Sequence, residues 1–183
     1  MDTNTELVKR EKLSDMQETI LYFILYSFLG WCLETFYAFM VHGHFVKRGF
    51  LFGPMCPIYG FGAILLIFNL KKIKGNNLKK FFIAMIVFSA FEFIASFILE
   101  AIFHQRWWDY SNDFMNLQGR ICLAFSIIWG LAGVLFVNNI HPFIEKRVDR
   151  LLRHIPFNLQ KIMLMGLLFV FLLDEMLSIV SYL

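Results

Sequence analysis

Carboxylates inside long apolar stretches are the residues of this chain that could do chemistry. Glu34, Glu92, Glu100, Asp174 and Glu175 each interrupt such a stretch. An Asp in the middle of a membrane-spanning helix costs about 2.5–3.5 kcal/mol to insert, so such residues are rare and mark ion pathways, proton relays or ligand counter-ions. Each of the five is therefore a candidate functional residue.

Arginines are predicted to lie on the same side of the membrane as these carboxylates. Arg48, Arg106 and Arg120 fall in or beside the connections between apolar stretches, and ion pairs with the acidic residues would lower the cost of burial. We predict an outward-facing polar pocket; the alternative is a set of packing pairs or interfacial residues. The predicted pocket comprises Glu34, Arg48, Glu92, Glu100, Arg106, Asp109, Arg120 and Asp174.

Glu92, Ser96 and Glu100 are spaced i, i+4 and i+8. This spacing places them on one broad face of a helix. It predicts a polar seam that faces other helices and not lipid.

A stretch of irregular backbone is the second candidate element. Residues 48–60 read RGFLFGPMCPIYG and start an apolar run. Irregular backbone at membrane depth is tolerated only where it is buried in protein or lines a cavity. We therefore predict a broken helix that forms a wall of the pocket, with Gly49, Gly53, Pro54, Pro57 and Gly60 as the breaking residues.

Residues 104–119 form a polar and aromatic connection, HQRWWDYSNDFMNLQG. Trp and Tyr are common anchors at membrane interfaces, and that role alone explains Trp107 and Trp108. The many turn-forming residues and the direct return through Gly119 and Arg120 into an apolar stretch favour a second hypothesis, a loop that gates the pocket or faces a substrate.

Composition indicates the class of protein that must position these residues. Of 183 residues, 58% are hydrophobic, and they lie in long blocks separated by charges, which is typical of an integral membrane protein. A net charge of +3 is too small to indicate nucleic-acid binding. No Walker A, HExxH or GxSxG motif occurs, and His42 and His44 lack further ligands, so we expect no cofactor and no metal. Cys56 and Cys122 either pair or stay as buried thiols.

The apolar blocks predict an all-α integral membrane protein, a five-helix transmembrane bundle with a Gly/Pro-broken second span. A helix needs about 20 apolar residues to cross roughly 30 Å of hydrocarbon. Residues 1–18 are predicted as a polar cytoplasmic tail, and 19–183 as a single transmembrane domain. The predicted spans are 19–41, 54–70, 81–103, 121–139 and 162–183.

The distribution of Lys and Arg predicts the orientation, because positively charged loops stay in the cytoplasm. With five spans and the N-terminus inside, 13 basic residues lie inside and 4 outside. If 49–70 instead dips into the membrane and returns, four spans with the N-terminus outside give 12 against 5. We prefer five spans, because 49–70 is 22 nearly uncharged residues.

A short amphipathic helix is predicted between Pro142 and Pro156, on the cytoplasmic side. Its basic residues, Arg150 among them, lie opposite an apolar stripe. Such a helix either lies on the anionic inner leaflet or docks a cytoplasmic partner. The stripe consists of Ile144, Val148, Leu151, Leu152 and Ile155, and the other basic residues are Lys146, Arg147 and Arg153.

Several motifs in the same order resemble a family of small bacterial membrane proteins described as ABC transporter type IV permeases, or CmpB-like. The resemblance runs from about residue 22 to 142 and includes Glu92 and Glu100. Between WWDYS and GRICL the family usually carries a proline, whereas this chain reads DFMN at 113–116. The other motifs are GWCLE at 30–34, RGFLFGPMCPIYGFG at 48–62, WWDYS at 107–111 and GRICLAFSIIWG at 119–130.

The resemblance implies a multi-pass protein of the bacterial inner membrane with a role in transport. The first hypothesis is a permease-like subunit of an ABC-type or other multicomponent transporter, with a cytoplasmic ATPase partner. It would work as a homo-oligomer, because five short helices enclose little volume. The alternatives are a lipid- or envelope-handling membrane enzyme that uses the carboxylates as acid and base, and a non-catalytic membrane partner of another protein.

Overall fold

The computed structural model describes residues 12–182, and their regular structure is helical throughout. No strand occurs in this part of the chain, only an isolated bridge between Leu117 and Ile121. The prediction of an all-α protein is confirmed. The elements are α1 (Asp15–His42), α2 (Pro57–Leu70), α3 (Asn77–Phe103), α4 (Leu123–Leu135), a π-helical turn (Phe136–Ile140), α5 (His141–Leu152) and α6 (Phe157–Tyr182).

Side-chain caps begin the first and third helices. At α1, Ser14 accepts a hydrogen bond from the backbone N–H of Gln17, and Gln17 returns one to Ser14, which is a capping box. At α3, Asn76 accepts from the N–H of Lys79. The helix therefore starts before Thr19, inside the predicted polar tail, and residues 1–11 of that tail lie outside the described residues.

Four helices within residues 12–182 are long and apolar enough to cross a membrane: α1, α3, α6 and the 30-residue rod Leu123–Leu152. The prediction of a multi-pass membrane protein is confirmed at this level. The remaining apolar helix, α2, has 14 residues. At 1.5 Å per residue it reaches about 21 Å, less than the roughly 30 Å of hydrocarbon, so it does not cross by itself.

The bundle has two distinct ends. At the end called here the basic end, Lys71 pairs with Glu145 at 2.7 Å and Lys80 bonds Asn138. These contacts join the end of α2 and the start of α3 to the π turn and α5. At the other end, called the aromatic end, four aromatic rings form a cluster in which each pair of ring centroids is at most 6.5 Å apart. The rings are those of Phe50, Phe103, Trp107 and Tyr182.

The connection before α2, together with α2 itself, links the two ends. Phe50 lies at the aromatic end and Leu70 packs at the basic end, so residues 50–70 run from one end to the other.

The apolar core lies toward the basic end. Leu66 and Leu70 of α2 pack against Ala84 of α3 and Val137 of the π turn. Along α1 and α2 the packing is close at glycines: a Cβ on Gly60 would overlap Phe23 and Ser27 of α1. Small residues let the two backbones approach.

The connection between α1 and α2 contains no helix from residue 43 to 56. Gly49 has φ 86°, a conformation that favours glycine. Further along, the backbone N–H of Cys56 donates to the carbonyl of Ser27 at 2.9 Å. Since Ser27 lies near the middle of α1, non-helical chain reaches about halfway down the bundle before Pro57 starts α2.

The amphipathic segment continues the fourth helix, whereas the sequence predicts a span ending at 139 and a separate helix after Pro142. Pro142 has no N–H to donate, which would interrupt an ordinary α-helix. Here the N–H of His141 bonds the carbonyl of Phe136, five residues back, and the wider π turn carries the chain past the proline. The result is one uninterrupted rod.

Candidate functional site

The Glu34 cluster joins α1, the non-helical connection and α2. Arg48 pairs with Glu34 at 3.1 Å, and the hydroxyl of Tyr59 donates to the other oxygen of the same carboxylate. The side chains of Arg48 and Glu34 are 40% and 29% exposed. Gly30 makes room for the Tyr59 ring, because a Cβ at that position would overlap it. The cluster ties the start of α2 to α1.

The Asp174 cluster attaches α6 to the same connection. The two oxygens of Asp174 accept from the consecutive backbone N–H groups of Phe52 and Gly53, at 3.0 and 2.9 Å. Ser178, one turn later, also accepts from the Phe52 N–H, at 3.1 Å. Successive amides that converge on one point form an anion-binding concavity. A Cβ on Gly53 would lie 2.8 Å from the Asp174 carboxylate, so glycine suits this position.

The Glu92 cluster lies between α3 and α4. Glu92 is 8% exposed, and it accepts from the hydroxyl of Tyr110 and the indole N–H of Trp129, each at 3.0 Å. Trp129 stacks on Phe88 with centroids 5.0 Å apart, and Tyr110 stacks on Phe125 at 4.7 Å. Both oxygens of a buried carboxylate are thus held by neutral donors in an aromatic setting.

The Glu100 cluster lies at the end of α3, beside the start of α4. Glu100 pairs with Arg106 at 2.9 Å and with Arg120, which also donates to Ser96 at 3.0 Å. The Arg120 guanidinium lies over the Phe97 ring, 5.3 Å from its centroid. Arg120 is 7% exposed, and its Nε has no hydrogen-bond partner among the described residues. The Glu100 carboxylate therefore forms ion pairs with two arginines.

The connection from 104 to 122 is an ordered cap over this pair of helices. Its ends meet where the N–H of Tyr110 donates to the carbonyl of Gly119 at 2.7 Å, and the indole of Trp108 donates to the carbonyl of Arg120 at 3.0 Å. Gly119 has φ 67°, which favours glycine. The cap therefore has a defined shape.

Two side chains of this cap have shifted pKa values. Hydrogen bonds from the hydroxyl and the backbone N–H of Ser111 hold the pKa of Asp109 below its usual range. Burial, with the nearby Glu92 carboxylate, raises the pKa of Tyr110. At neutral pH Tyr110 is therefore a hydrogen-bond donor and Asp109 an acceptor.

The residues of the predicted pocket fall into separate clusters. The structure brings Glu34 to Arg48, and Glu100 to Arg106 and Arg120, whereas Asp174 bonds backbone amides. Asp109 bonds Ser111 of its own loop. Both oxygens of Glu34, Glu100 and Asp174 accept hydrogen bonds from groups of the chain itself, whereas the Nε of Arg120 has no partner among the described residues.

No sequence pattern pointed to the neutral partners of these carboxylates. They are Tyr59, Tyr110, Trp129 and Ser178. A usable signal was the occurrence of Tyr and Trp within apolar runs, because a buried hydroxyl or indole N–H needs an acceptor.

The apolar stripe of α5 is divided between two environments. Ile144 and Val148 pack against Tyr22 and Tyr26 of α1, whereas Leu151 is 64% exposed. Leu152 is half-buried and Arg150 is exposed. Only the last turn of the stripe is therefore open to a partner.

The described residues include few side chains placed for metal binding or disulfide chemistry. Within residues 12–182 no group of three His, Cys, Asp or Glu side chains is placed to hold a metal ion. Cys32, Cys56 and Cys122 are free thiols. What the clusters offer is a set of ion pairs and charge–dipole contacts that hold connections to helices.

A family model described as "Putative ABC-transporter type IV" matches residues 21–179. A search of curated proteins and a search of solved structures each found no significant match. The match spans all six helices, from the first turns of α1 to the last turn of α6. This chain therefore belongs to the Putative ABC-transporter type IV family.

Proposed function

We propose that this protein is a permease-like membrane subunit of an ABC-type transporter, and that the end of α5 contacts a cytoplasmic ATPase. The observation that carries the proposal is the unbroken 30-residue rod Leu123–Leu152. At 1.5 Å per residue it is about 45 Å long, enough to cross the hydrocarbon and project beyond it. The family to which the chain belongs supports a role in ABC-type transport.

The rod connects the polar clusters with an exposed surface. Trp129 in α4 bonds Glu92, and Leu151 in the last turn of α5 is exposed beside Arg150. A continuous helix is a rigid element through which a displacement at one end reaches the other. Such an element is what a permease subunit needs to couple ATP hydrolysis in a partner to events in the membrane.

The second part of the proposal concerns the connection before α2. We propose that residues 49–70 together form one broken transmembrane span, with Gly49, Gly53, Pro54, Pro57 and Gly60 at the break. The non-helical half is held by the Glu34 and Asp174 clusters, so its backbone groups find partners within the protein. Irregular backbone at membrane depth requires such partners. This segment would form one wall of an outward-facing polar site.

The arrangement of the carboxylates favours transport over a membrane enzyme. Glu34, Glu92 and Glu100 each accept hydrogen bonds from two side chains. An acid–base pair for catalysis needs at least one group that can reach a substrate proton. Groups already bonded on both oxygens serve better to position helices.

The orientation that we propose places the basic end in the cytoplasm of a bacterial cell, with the N-terminus inside. Lys71, Lys72 and Lys74 lie at this end, in agreement with the positive-inside rule. A cysteine introduced at Asn76, with the three native cysteines replaced, should resist a membrane-impermeant maleimide in intact cells. Labelling from outside would contradict this orientation.

The ATPase contact is tested by affinity purification of the full chain from its native membrane. The wild type should recover an ATPase subunit, and the Leu151→Asp and Leu152→Asp double variant should not. Phe114→Asp is the matched control, because Phe114 is 79% exposed at the opposite end of the bundle. The proposal would be refuted if wild-type membranes yield no ATPase. It would also be refuted if the double variant recovers as much ATPase as the wild type.

A further inference from the structure

The basic end contains a buried cation that has no carboxylate partner. Lys80 is 7% exposed, and its ammonium donates to the side-chain oxygen of Asn138 at 2.5 Å. Among residues 12–182 no Asp or Glu lies within ion-pair distance of it. Buried charges in proteins are normally paired, because an isolated one loses its hydration without compensation.

The position of Lys80 along its helix adds to this imbalance. It lies in the first turn of α3, which begins at Asn77. The N-terminus of a helix carries a partial positive charge that favours anions and disfavours cations. Lys79, its neighbour, lies in the same turn, and no acidic residue is present there. The first turn of α3 therefore carries two cations and no acidic residue.

Asn138, the partner of Lys80, also lines an open hollow of about 700 Å³ on the surface of the rod. The hollow lies where the uncharged helix α4 gives way, through the π turn, to the charged helix α5. One part of its lining is polar, with Asn138, Asn139 and Lys146. The other part is apolar, with Ile140, Phe143 and Ile144.

The two parts of this lining match the two parts of one class of ligand. Amide and ammonium donors bind phosphate oxygens, and Ile140 and Phe143 are 40% and 58% exposed, so they offer an apolar surface beside those donors. Basic pockets at the ends of transmembrane helices bind the headgroups of anionic lipids. A free phosphate ion would use only the polar part.

We propose that the hollow at the π turn is a binding site for an anionic phospholipid. Its phosphate contacts Lys146 and the amide of Asn139, beside Asn138, whose own amide bonds Lys80 and Asn77. Its acyl chain lies along Ile140 and Phe143. Lys80, one hydrogen bond behind Asn138, supplies the second positive charge. The proposal does not depend on the ATPase contact, because that contact uses the last turn of α5 and not its first.

The test measures the thermal unfolding temperature of the full chain in detergent micelles titrated with phosphatidylglycerol or with phosphatidylcholine. Phosphatidylglycerol should raise the unfolding temperature of the wild type more than phosphatidylcholine does. Lys80→Met and Lys146→Gln should each raise the half-saturating phosphatidylglycerol concentration about ten-fold, the loss expected for one charged hydrogen bond. Inorganic phosphate at the same concentrations should give no comparable shift.

Lys72→Gln is the matched control, because Lys72 is an exposed lysine at the same end, and it should keep the wild-type response. If Lys80→Met does not fold, Lys146→Gln decides alone, since its side chain is on the surface. Equal responses to the two lipids overturn the proposal, as does an unchanged response in Lys146→Gln or an equal loss in Lys72→Gln. A shift by inorganic phosphate equal to that by phosphatidylglycerol would assign the hollow to a free anion and overturn the lipid site.

Discussion

The aromatic end and the basic end of the bundle satisfy their charges in different ways. Toward the aromatic end the carboxylates of Glu34 and Glu100 pair with arginines, and Asp174 is held by two backbone amides. At the basic end Lys71 pairs with Glu145, but the buried Lys80 bonds an amide and has no carboxylate partner among residues 12–182. The carboxylates toward the aromatic end are held by groups of the chain itself, whereas at the basic end Lys80 is buried without a carboxylate partner in the described part of the chain.

This difference indicates what each end does. A polar layer whose members bond one another holds connections and helices in fixed positions, because each buried group that loses its partner is costly. An end with an uncompensated cation and an exposed apolar turn is suited to contacts outside the chain. The substitutions below test this contrast, from the largest expected effect to the smallest.

The largest effect is expected at Glu92. Replacement by Leu removes both acceptors and leaves the Tyr110 hydroxyl and the Trp129 indole N–H buried without partners. Each unsatisfied buried donor costs about 1–3 kcal/mol, so the loss of acceptors for two donors should lower the free energy of unfolding by about 2–6 kcal/mol. Unfolding in mixed detergent–SDS micelles measures this, with Ile94→Ala, at a 55% exposed position, as control. A stable Glu92→Leu protein would show that the aromatic end is not held by this cluster.

The next effect is expected at Gly53, where a Cβ would lie 2.8 Å from the Asp174 carboxylate. Gly53→Ala should weaken the attachment of α6 and lower the free energy of unfolding by about 1–2 kcal/mol, because the carboxylate must move off one or both amides. The matched control is Gly166→Ala, since nothing lies within 4 Å of a Cβ there. In an exposed helix interior that change should be neutral or stabilising.

A double-mutant cycle separates the Gly53 effect from a general loss of packing. In an Asp174→Ala background the new methyl group meets no carboxylate, so Gly53→Ala should cost clearly less than in the wild type. Additive effects of the two substitutions would mean that Asp174 does not hold the connection.

A smaller effect on stability is expected from two partly exposed ion pairs, one at each end of the bundle. Lys71 and Glu145 are 51% and 33% exposed, and Arg48 and Glu34 are 40% and 29% exposed. A pair of this exposure contributes about 0.2–1 kcal/mol. Cycles with Gln at all four positions should give the larger coupling energy for Glu34 and Arg48, because Tyr59 also holds the Glu34 carboxylate. Equal coupling would weaken the contrast between the ends.

The helices were predictable from sequence because a membrane restricts their form. Every backbone group in lipid needs a partner within its own segment, so long apolar stretches become helices of the required length. The predicted starts at Thr19 and Phe81 lie within a few residues of the observed ones at Asp15 and Asn77. The continuous rod was not predictable, because Pro142 usually marks a helix start and only the π turn allows the helix to pass it.

The clusters were less predictable than the helices, because they depend on the paths of two non-helical connections, residues 104–122 and, for Glu34 and Asp174, residues 43–56. The path of residues 43–56 brings the amide of Phe52 to Asp174, which is 122 residues away along the chain. Hydropathy and charge spacing carry no information on such a contact. They identified the costly carboxylates, but the contacts of Glu34 and Asp174 depend on how residues 43–56 fold against α1 and α6. The contacts of Glu92 and Glu100 depend on how residues 104–122 fold over α3 and α4.

The smallest effect is expected from Asp109, and it is local to the cap formed by residues 104–122. The pKa of Asp109 is lowered by the two Ser111 hydrogen bonds, so this contribution to stability is full above the unfolded-state pKa of about 3.9. It is lost as the pH falls further, through the folded-state pKa. Tryptophan fluorescence should therefore change below about pH 4, since Trp108 belongs to the cap. Asp109→Asn keeps an oxygen for Ser111 but does not titrate, and an unchanged acid transition in that variant would locate the transition elsewhere, in the carboxylate clusters that hold the aromatic end together.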